Sequence, residues 1–265
     1  MPLHRGYVDG PFGQVHYAEQ GDGPAIVLVH MSGFSHVQYA KAMPLLADEG
    51  FRAVAIDLPG FGMSAPTESA ASVPEYAAAM LAVVEALALE PATIVGSHLG
   101  AQVATEAAVA RPDAVGKLVL IGPMPTLPEE RESHQALIEA EKHATIEPDG
   151  SHLTEMWGLV LQYFKGWSEI DAIQRLVVSQ LWAGDRNWYG HNAVFTYDHA
   201  ATLARQSQPC LVLSNTGDVA HSFSLRTRDQ FPQFAYRELE GGTALIVDEQ
   251  PRAWTDAVVK FARDA

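Results

Sequence analysis

Short apolar runs alternate with longer stretches in which apolar residues recur at helical spacing. Residues 25–29 are a continuous apolar run, and 51–56 are apolar except for Arg52, a pattern typical of strands covered on both faces of a sheet. Residues 14–19 alternate between polar and apolar positions, which predicts a half-exposed strand. Further strands are predicted at 93–97, 118–121, 210–214 and 234–239. Helices are predicted at 37–49, 74–89, 101–111 and 250–263. Strands that alternate with helices predict an α/β fold with a mostly parallel sheet.

Composition and charge narrow the class of protein and its partners. The chain has 265 residues, of which 48% are hydrophobic and 18% charged, and this suits one globular domain with an insertion. A formal net charge of −15 disfavours nucleic acid and anionic membranes, because both would repel the chain. The N-terminus lacks the apolar core of a signal peptide, and no apolar run approaches the ~20 residues that span a bilayer. The single cysteine, Cys210, excludes an internal disulfide, so we expect a cytoplasmic protein.

A sharp bend is predicted between the strand at 93–97 and the Ala-rich helix that follows it. Gly96 and Gly100 bracket this bend, and their spacing matches the G-x-nucleophile-x-G pattern of a nucleophile elbow. The central position, where a Ser, Asp or Cys is expected, holds His98. The only hydroxyl in the motif lies one residue earlier, at Ser97. A side chain at that position should point away from the direction of the apex residue, so we do not expect Ser97 to be a nucleophile.

Loop motifs elsewhere in the chain agree with the elbow. Residues 57–64 read DLPGFGMS and match a D-x-P-G-x-G-x-S loop, His30 follows the strand at 25–29, and Asp218 follows the strand at 210–214. Over nearly its whole length the chain therefore resembles the α/β-hydrolase superfamily. The resemblance implies an α/β-hydrolase fold with helices on both faces of the sheet. It also implies that the 57–64 loop is structural and carries no chemistry.

The alternating pattern is interrupted between residues 124 and 200. Helical spacing predicts four helices in this segment, at 130–143, 153–164, 170–182 and 187–200. Four of the five tryptophans of the chain also lie here. The resemblance implies a helical cap over the carboxyl edge of the sheet, and we call residues 124–200 the cap segment. Residues 1–123 and 201–265 are expected to form the α/β-hydrolase core.

Two of the three residues of a Ser–His–acid triad are missing. The resemblance places the catalytic histidine between the last strand and the last helix, where this chain has Ala244, and no histidine follows His221. The acid remains, as Asp218. An imidazole is longer than a serine side chain, and Ala244 leaves the volume of the missing imidazole open. We therefore predict that His98 reaches Asp218 and that the two form a catalytic acid–base dyad.

Other groups are expected around this dyad. Backbone N–H groups of Leu99 and of Met31 or Ser32 would form an oxyanion hole. Aromatic residues of the cap segment should close a pocket that includes His98. The candidate pocket residues are His30, Ser97, Trp157, Trp182, His191 and His221. Within the family His30 packs structurally, and the remaining cap histidines are expected to be surface or hydrogen-bonded polar residues.

Several functions are compatible with this pattern. The first is an enzyme that acts on a small, largely apolar organic molecule, by hydrolysis or by cofactor-free lyase or isomerase chemistry. The alternative is an inactive homologue that serves as a small-molecule receptor or as an interaction protein. No cofactor is expected. No metal is expected either, because the histidines His30, His36, His98 and His221 at the sheet edge lack H-x-x-x-H or H-E-x-x-H spacing.

Overall fold

One sheet forms the centre of the molecule, with the strand order β1-β2-β4-β3-β5-β6-β7-β8. The structure is a computed structural model that describes residues 1–143, 146–164, 166–167 and 169–264. The strands are β1 (His4–Gly10), β2 (Gly13–Gln20), β3 (Ala25–Val29), β4 (Arg52–Ile56), β5 (Ala92–Ser97), β6 (Val115–Ile121), β7 (Cys210–Asn215) and β8 (Ala235–Leu239). β2 pairs antiparallel with both β1 and β4, and all other neighbours are parallel. The predicted mostly parallel sheet is confirmed.

Helices flank the sheet, and a further group of helices lies between β6 and β7. They are α1 (Ala42–Asp48), α2 (Val73–Ala86), α3 (Leu99–Ala110), α4 (Pro128–Ser133), α5 (Gln135–Lys142), α6 (Ser151–Tyr163), α7 (Ile170–Ala183), α8 (Trp188–Thr196), α9 (His199–Leu203), α10 (His221–Gln230), α11 (Ile246–Glu249) and α12 (Pro251–Arg263). A 3-10 turn at His36–Tyr39 precedes α1, where the sequence predicts one continuous helix. Within the described residues, no helix combines the length and apolar character needed to cross a membrane.

The core consists of two apolar layers, one on each face of the sheet. Successive side chains of a strand point to opposite faces, so Val27 and Val29 pack into the layer beneath α2 and α3. Ile26 and Leu28 pack into the opposite layer, together with the fully buried Trp254 of α12. This alternation explains why β3 reads as an uninterrupted apolar run: both of its faces are covered.

The cap segment lies between β6 and β7, and its described residues form α4 to α8 and the start of α9. The predicted helix at 130–143 divides into α4 and α5 near His134. The predicted helix at 187–200 also ends early, because the Asp198 carboxylate accepts a hydrogen bond from the Ala201 N–H at 3.1 Å and starts α9 there. α6 and α7 contact the core through an apolar group that we call the cap–core cluster. Its buried members are Met31, Phe34, Val160, Phe164, Ile173, Leu176, Val177, Ala244 and Leu245.

The hydrophobic pattern of the sequence does not predict β1 or α10. β1 is an edge strand with half-exposed and exposed positions, and it carries too few apolar residues to show alternation. α10 reads HSFSLRTRDQ, and it too has few apolar residues to mark a buried face. Both lie at the periphery of the core, where little apolar burial is needed, so the hydrophobic pattern that identifies the central strands is absent.

Candidate active site

The bend between β5 and α3 forms a tight, strained turn at His98. His98 has φ 53° and ψ −105°, a combination that costs a non-glycine residue roughly 1–3 kcal/mol. Its backbone N–H donates to the carbonyl of Ile121 at 2.8 Å, which ties the bend to β6. A Cβ on Gly96 would lie 2.1 Å from the carbonyl oxygen of Gly100, so the helix can cross the strand only where residue 96 has no side chain.

The turn directs the imidazole of His98 toward Asp218. His98 Nε2 lies 3.1 Å from Asp218 Oδ1, and the same oxygen accepts the Ala220 N–H at 2.8 Å. On the other side of the ring, His98 Nδ1 lies 3.1 Å from Ser97 Oγ. A Cβ on Gly122 would lie 2.8 Å from His98 Nε2, so the glycine at the end of β6 leaves the space that the ring occupies. The predicted contact between His98 and Asp218 is thus present in the geometry, and the ring nitrogens face two different partners.

The electrostatics of the pair favour the charged forms of both groups. Burial lowers the pKa of His98, but the charge of Asp218 and the hydrogen bond to it raise the pKa more, so the net value is above 6.5. Burial raises the pKa of Asp218, but the charge and hydrogen bond of His98 and the Ala220 N–H lower it more, so the net value is below 3.8. Asp218 is therefore an ionised acceptor at neutral pH, and the Nε2–H of His98 is the donor.

The expected oxyanion groups are only partly available. The backbone N–H of Met31 donates to the side-chain oxygen Oε1 of Gln38 at 3.0 Å, so this predicted oxyanion donor already has an acceptor in the structure. Its side chain belongs to the cap–core cluster instead. Leu99 is the first residue of α3, where an N–H has no acceptor within its own helix. Leu99 and Ser32 therefore remain the candidates for an oxyanion hole.

The position of the missing histidine is closed by apolar packing. Ala244 is buried and belongs, with Leu245, to the cap–core cluster. Two concave sites in the described residues hold about 370 and 330 Å³, one beside Glu49 and α12 and the other beside Pro24 and Arg52. Neither is lined by His98 or by a described residue of the cap segment. The pocket predicted over His98 is thus not among these cavities, and the His98 side chain is only 11% exposed.

The candidate pocket residues do not form one group. His30 is fully buried, receives the Leu58 N–H at its Nε2 at 3.0 Å and donates from Nδ1 to the Met31 carbonyl at 2.7 Å, so it is a structural residue. Trp182 is 63% exposed, so most of its side chain faces solvent in this structure. Its position at four-residue spacing from the exposed Val178 accounts for this.

The other pocket candidates also have partners of their own. His191 Nδ1 lies 2.8 Å from Glu141 Oε1 within the cap segment. His221 Nδ1 lies 3.1 Å from Ser214 Oγ, and the charge of His221 contributes to the low pKa of Asp218. Trp157 packs partly buried against the cap–core cluster. Of the six candidate pocket residues, Ser97 acts on the His98–Asp218 pair by a hydrogen bond and His221 acts on it through its charge.

Comparison with known proteins identifies the architecture. An α/β hydrolase fold family model matches residues 24–150. An esterase from Exiguobacterium antarcticum superposes with a TM-score of 0.85 at 18% identity, over 97% of this chain and 99% of that one. The chain has the α/β-hydrolase fold. The predicted fold class is thereby confirmed, and the family match over residues 24–150 supports the resemblance to the α/β-hydrolase superfamily.

Two of the curated proteins to which the chain is similar are hydrolases by name. The (E)-2-((N-methylformamido)methylene)succinate hydrolase of Acinetobacter baylyi is 25% identical over 242 residues, which cover 89% of this chain and 86% of the relative. A 2-hydroxy-6-oxononadienedioate/2-hydroxy-6-oxononatrienedioate hydrolase of Burkholderia vietnamiensis is 35% identical over 133 residues. That second match spans 44% of this chain and 46% of the relative, so it covers about half of each protein.

Proposed function

We propose that this protein is a hydrolase of a small, largely apolar organic molecule with a hydrolysable carbonyl group, and that the His98–Asp218 dyad is its acid–base catalyst. The observation that carries the proposal is the position of His98 at the strained apex of the elbow, with Nε2 3.1 Å from Asp218. Both curated relatives are hydrolases by name, which favours hydrolysis over lyase or isomerase chemistry with the same dyad.

The two hydrogen bonds of the imidazole assign its nitrogens to different tasks. The Nε2–H donates to an ionised carboxylate, and such charge-assisted bonds contribute about 1.5–3 kcal/mol. Nδ1 then carries the lone pair and accepts the Ser97 hydroxyl in a neutral bond of about 0.5–1.5 kcal/mol. The bond between Ser97 and Nδ1 is the weaker of the two and breaks first. A water molecule or substrate then replaces Ser97 at Nδ1 while Asp218 keeps the ring in place.

The reaction that follows from this assignment is general-base hydrolysis. A water molecule gives a proton to His98 Nδ1 as its oxygen bonds to the carbonyl carbon, and Asp218 stabilises the resulting imidazolium. The N–H groups of Leu99 and Ser32 stabilise the oxyanion of the tetrahedral intermediate. When the intermediate collapses, the bond to the leaving group breaks and the proton passes from Nδ1 to that group. The dyad returns to its starting state, and one water molecule is consumed per turnover.

Access to the dyad requires movement of the cap segment. Met31 and Ala244 of the core loops pack against cap residues such as Ile173 in the cap–core cluster. A substrate that reaches His98 must separate these groups, and its apolar atoms replace the contacts that are lost. This is the reason to propose a largely apolar substrate: the surfaces that it would contact are apolar.

A turnover screen tests the proposal. Purified protein is assayed against p-nitrophenyl esters of short and medium acyl chains, aryl amides and vinylogous 1,3-diketones, with the His98→Ala variant measured in parallel. We expect at least one class to be hydrolysed by the natural chain well above the rate of the variant. Equal rates for the two proteins across all classes would overturn the assignment of His98 as the catalyst.

Ser97 is predicted to be dispensable for turnover. Because it only occupies Nδ1 in the resting enzyme, Ser97→Ala should keep kcat within roughly threefold, and a fluorophosphonate should not label the natural chain. Mass spectrometry of the treated protein and steady-state kinetics of the variant check both points. Stoichiometric labelling at Ser97 would instead identify this residue as a nucleophile. A fall in kcat of Ser97→Ala that exceeds the ~10²–10⁴-fold range of general acid–base catalysis would lead to the same conclusion.

The pH dependence of turnover reports on the dyad. Since the base form of His98 is required and its pKa lies above 6.5, kcat/KM should rise with pH through a midpoint above 6.5. Asp218→Asn removes the charge that raises this pKa and leaves burial, which lowers it, so the midpoint of the residual activity should move to lower pH. A pH–rate profile, together with an NMR titration of the His98 ring, measures this shift. If Asp218→Asn leaves the midpoint unchanged, the Asp218 charge does not raise the pKa of the catalytic base, and the proposed role of Asp218 is wrong.

A further inference from the structure

A second group of ionisable side chains lies outside the dyad, and the proposed hydrolysis does not use it. His16 on β2, His36 after β3 and Asp57 after β4 come from three separate parts of the chain. His16 Nδ1 lies 2.9 Å from Asp57 Oδ2, and His36 Nδ1 lies 3.0 Å from Asp57 Oδ1 and 3.2 Å from Oδ2. The ligand atoms of the three residues all lie within 4.8 Å of one another.

We propose that His16, His36 and Asp57 form a structural binding site for a divalent transition metal of the Zn²⁺ type. Two imidazole nitrogens and one carboxylate oxygen are a ligand set that zinc accepts, with water in the fourth position. Bonds of about 2.0–2.1 Å in a tetrahedral arrangement hold ligand atoms about 3.3 Å apart. The separations of 2.9 to 3.2 Å between the nitrogens and the carboxylate therefore need to widen by only a few tenths of an ångström, and the two imidazole nitrogens, which lie within 4.8 Å of each other, need to approach to that same spacing.

The carboxylate of this site is held by groups that do not compete with the metal. The backbone N–H of Met63 donates to Asp57 Oδ2 at 2.9 Å, and the backbone N–H of His36 donates to Oδ1. A Cβ on Gly62 would lie 2.2 Å from Oδ2, so the glycine at this position preserves the space around the carboxylate. Such outer hydrogen bonds orient a ligand in advance of binding and increase metal affinity.

The charges around the site suit a cation. Asp57 is fully buried, and its carboxylate is hydrogen-bonded by both His16 and His36. When a metal binds at Nδ1 of a neutral ring, the ring proton is carried on Nε2 instead. The net charge of −15 also attracts cations to the chain.

The site is reachable from solvent and would link distant segments. The His36 side chain is 12% exposed, whereas Asp57 is not exposed, so the ion and its water would enter from the His36 side. A bound metal would join β2 to the loops that follow β3 and β4. The expected role is stabilisation of this edge of the core, and it does not depend on whether the His98–Asp218 proposal holds.

Metal titration of the full-length protein tests the site. Chelator-treated protein is titrated with Co²⁺, and we expect one equivalent to give the intense visible absorption of four-coordinate cobalt, which added Zn²⁺ then abolishes. Zn²⁺ at 100 times its Kd should raise Tm by about 5 °C or more. The absence of a coloured complex together with an unchanged Tm would overturn the proposal.

A pair of histidine variants separates this site from adventitious binding. In His36→Gln the amide N–H can still donate to Asp57, so the fold is preserved while the ring nitrogen is lost. Its Zn²⁺ affinity should fall by at least about 100-fold, which exceeds the 10–100-fold typical of losing an orienting group. His143→Gln, at an exposed histidine, should bind as the natural chain does. Equal affinities in the two variants would refute the assignment, and His16→Gln provides the same test if circular dichroism shows that His36→Gln is unfolded.

Discussion

Replacement of His98 by alanine is expected to lower kcat/KM by about 10²–10⁴-fold, the range of general acid–base catalysis. The variant loses the ring that is hydrogen-bonded to Asp218, and the carboxylate, which is 2% exposed, has no proton to transfer at neutral pH. Asp218→Asn should lower kcat/KM by a similar factor, because the ring loses its orienting acceptor and the imidazolium loses its stabilising charge. Steady-state kinetics on whichever substrate the turnover screen identifies measure both effects.

The double variant distinguishes a dyad from two independent residues. If His98 and Asp218 act as a unit, the double variant should be little worse than the worse of the two single variants. His143 and Glu139 offer a matched histidine–carboxylate pair, 3.2 Å apart and exposed, so His143→Ala controls for the general loss of such a pair and should leave turnover unchanged. Losses that multiply in the double variant, or full activity in His98→Ala, would contradict the assignment of the dyad.

Gly100→Ala is expected to destabilise the fold by at least about 3 kcal/mol. A Cβ at this position would lie 2.1 Å from the carbonyl oxygen of Val29, and both clashing groups belong to the backbone, so neither can rotate away. For a chain of this size the loss corresponds to a fall in Tm of about 6–12 °C. Thermal unfolding followed by circular dichroism measures it.

Gly158 provides the matched control for this substitution. It lies within α6, and a Cβ built on it has no atom within 4 Å. Gly158→Ala should therefore stabilise the protein by about 0.5–1 kcal/mol, since alanine restricts the unfolded chain and favours the helix. Similar Tm values for Gly100→Ala and Gly158→Ala would show that the elbow tolerates a larger residue and that close packing of α3 on β3 is not required.

The central sheet could be predicted because a strand that is buried on both faces needs apolar residues at nearly every position. β3, β4, β5, β6 and β7 are short, mostly apolar runs. Gly96 and Gly100 of the elbow are each explained by the backbone atoms that a Cβ at their position would overlap. β1 and α10 could not be predicted, because elements at the periphery bury few side chains and so show no hydrophobic period. Helical spacing predicts the helices between residues 124 and 200, but their boundaries depend on local capping by residues such as Asp198.

Only some of the contacts around the dyad could be predicted from the sequence. Steric reasoning from His98 and Ala244 anticipated that the ring would approach Asp218. It did not anticipate that Gln38 would take the Met31 N–H, because that bond depends on the path of the loop and not on spacing. His16 was not singled out, since its approach to Asp57 depends on the antiparallel register of β2 and β4, in which Tyr17 lies opposite Ile56. The spacing of motifs along the chain does not predict which residues of two distant strands lie opposite each other.

The pairing of β6 with β7 has a consequence for the nascent chain. Leu118 lies beside Cys210 in the sheet, so the ribosome must add residues 122–209 before β6 gains its second neighbour. At about 5–20 residues per second this takes several seconds, during which the apolar edge of β6 has unpaired backbone groups. The cap segment emerges in that interval, when its apolar faces also lack their partners on the core. Chaperone binding at this stage should therefore increase the soluble yield.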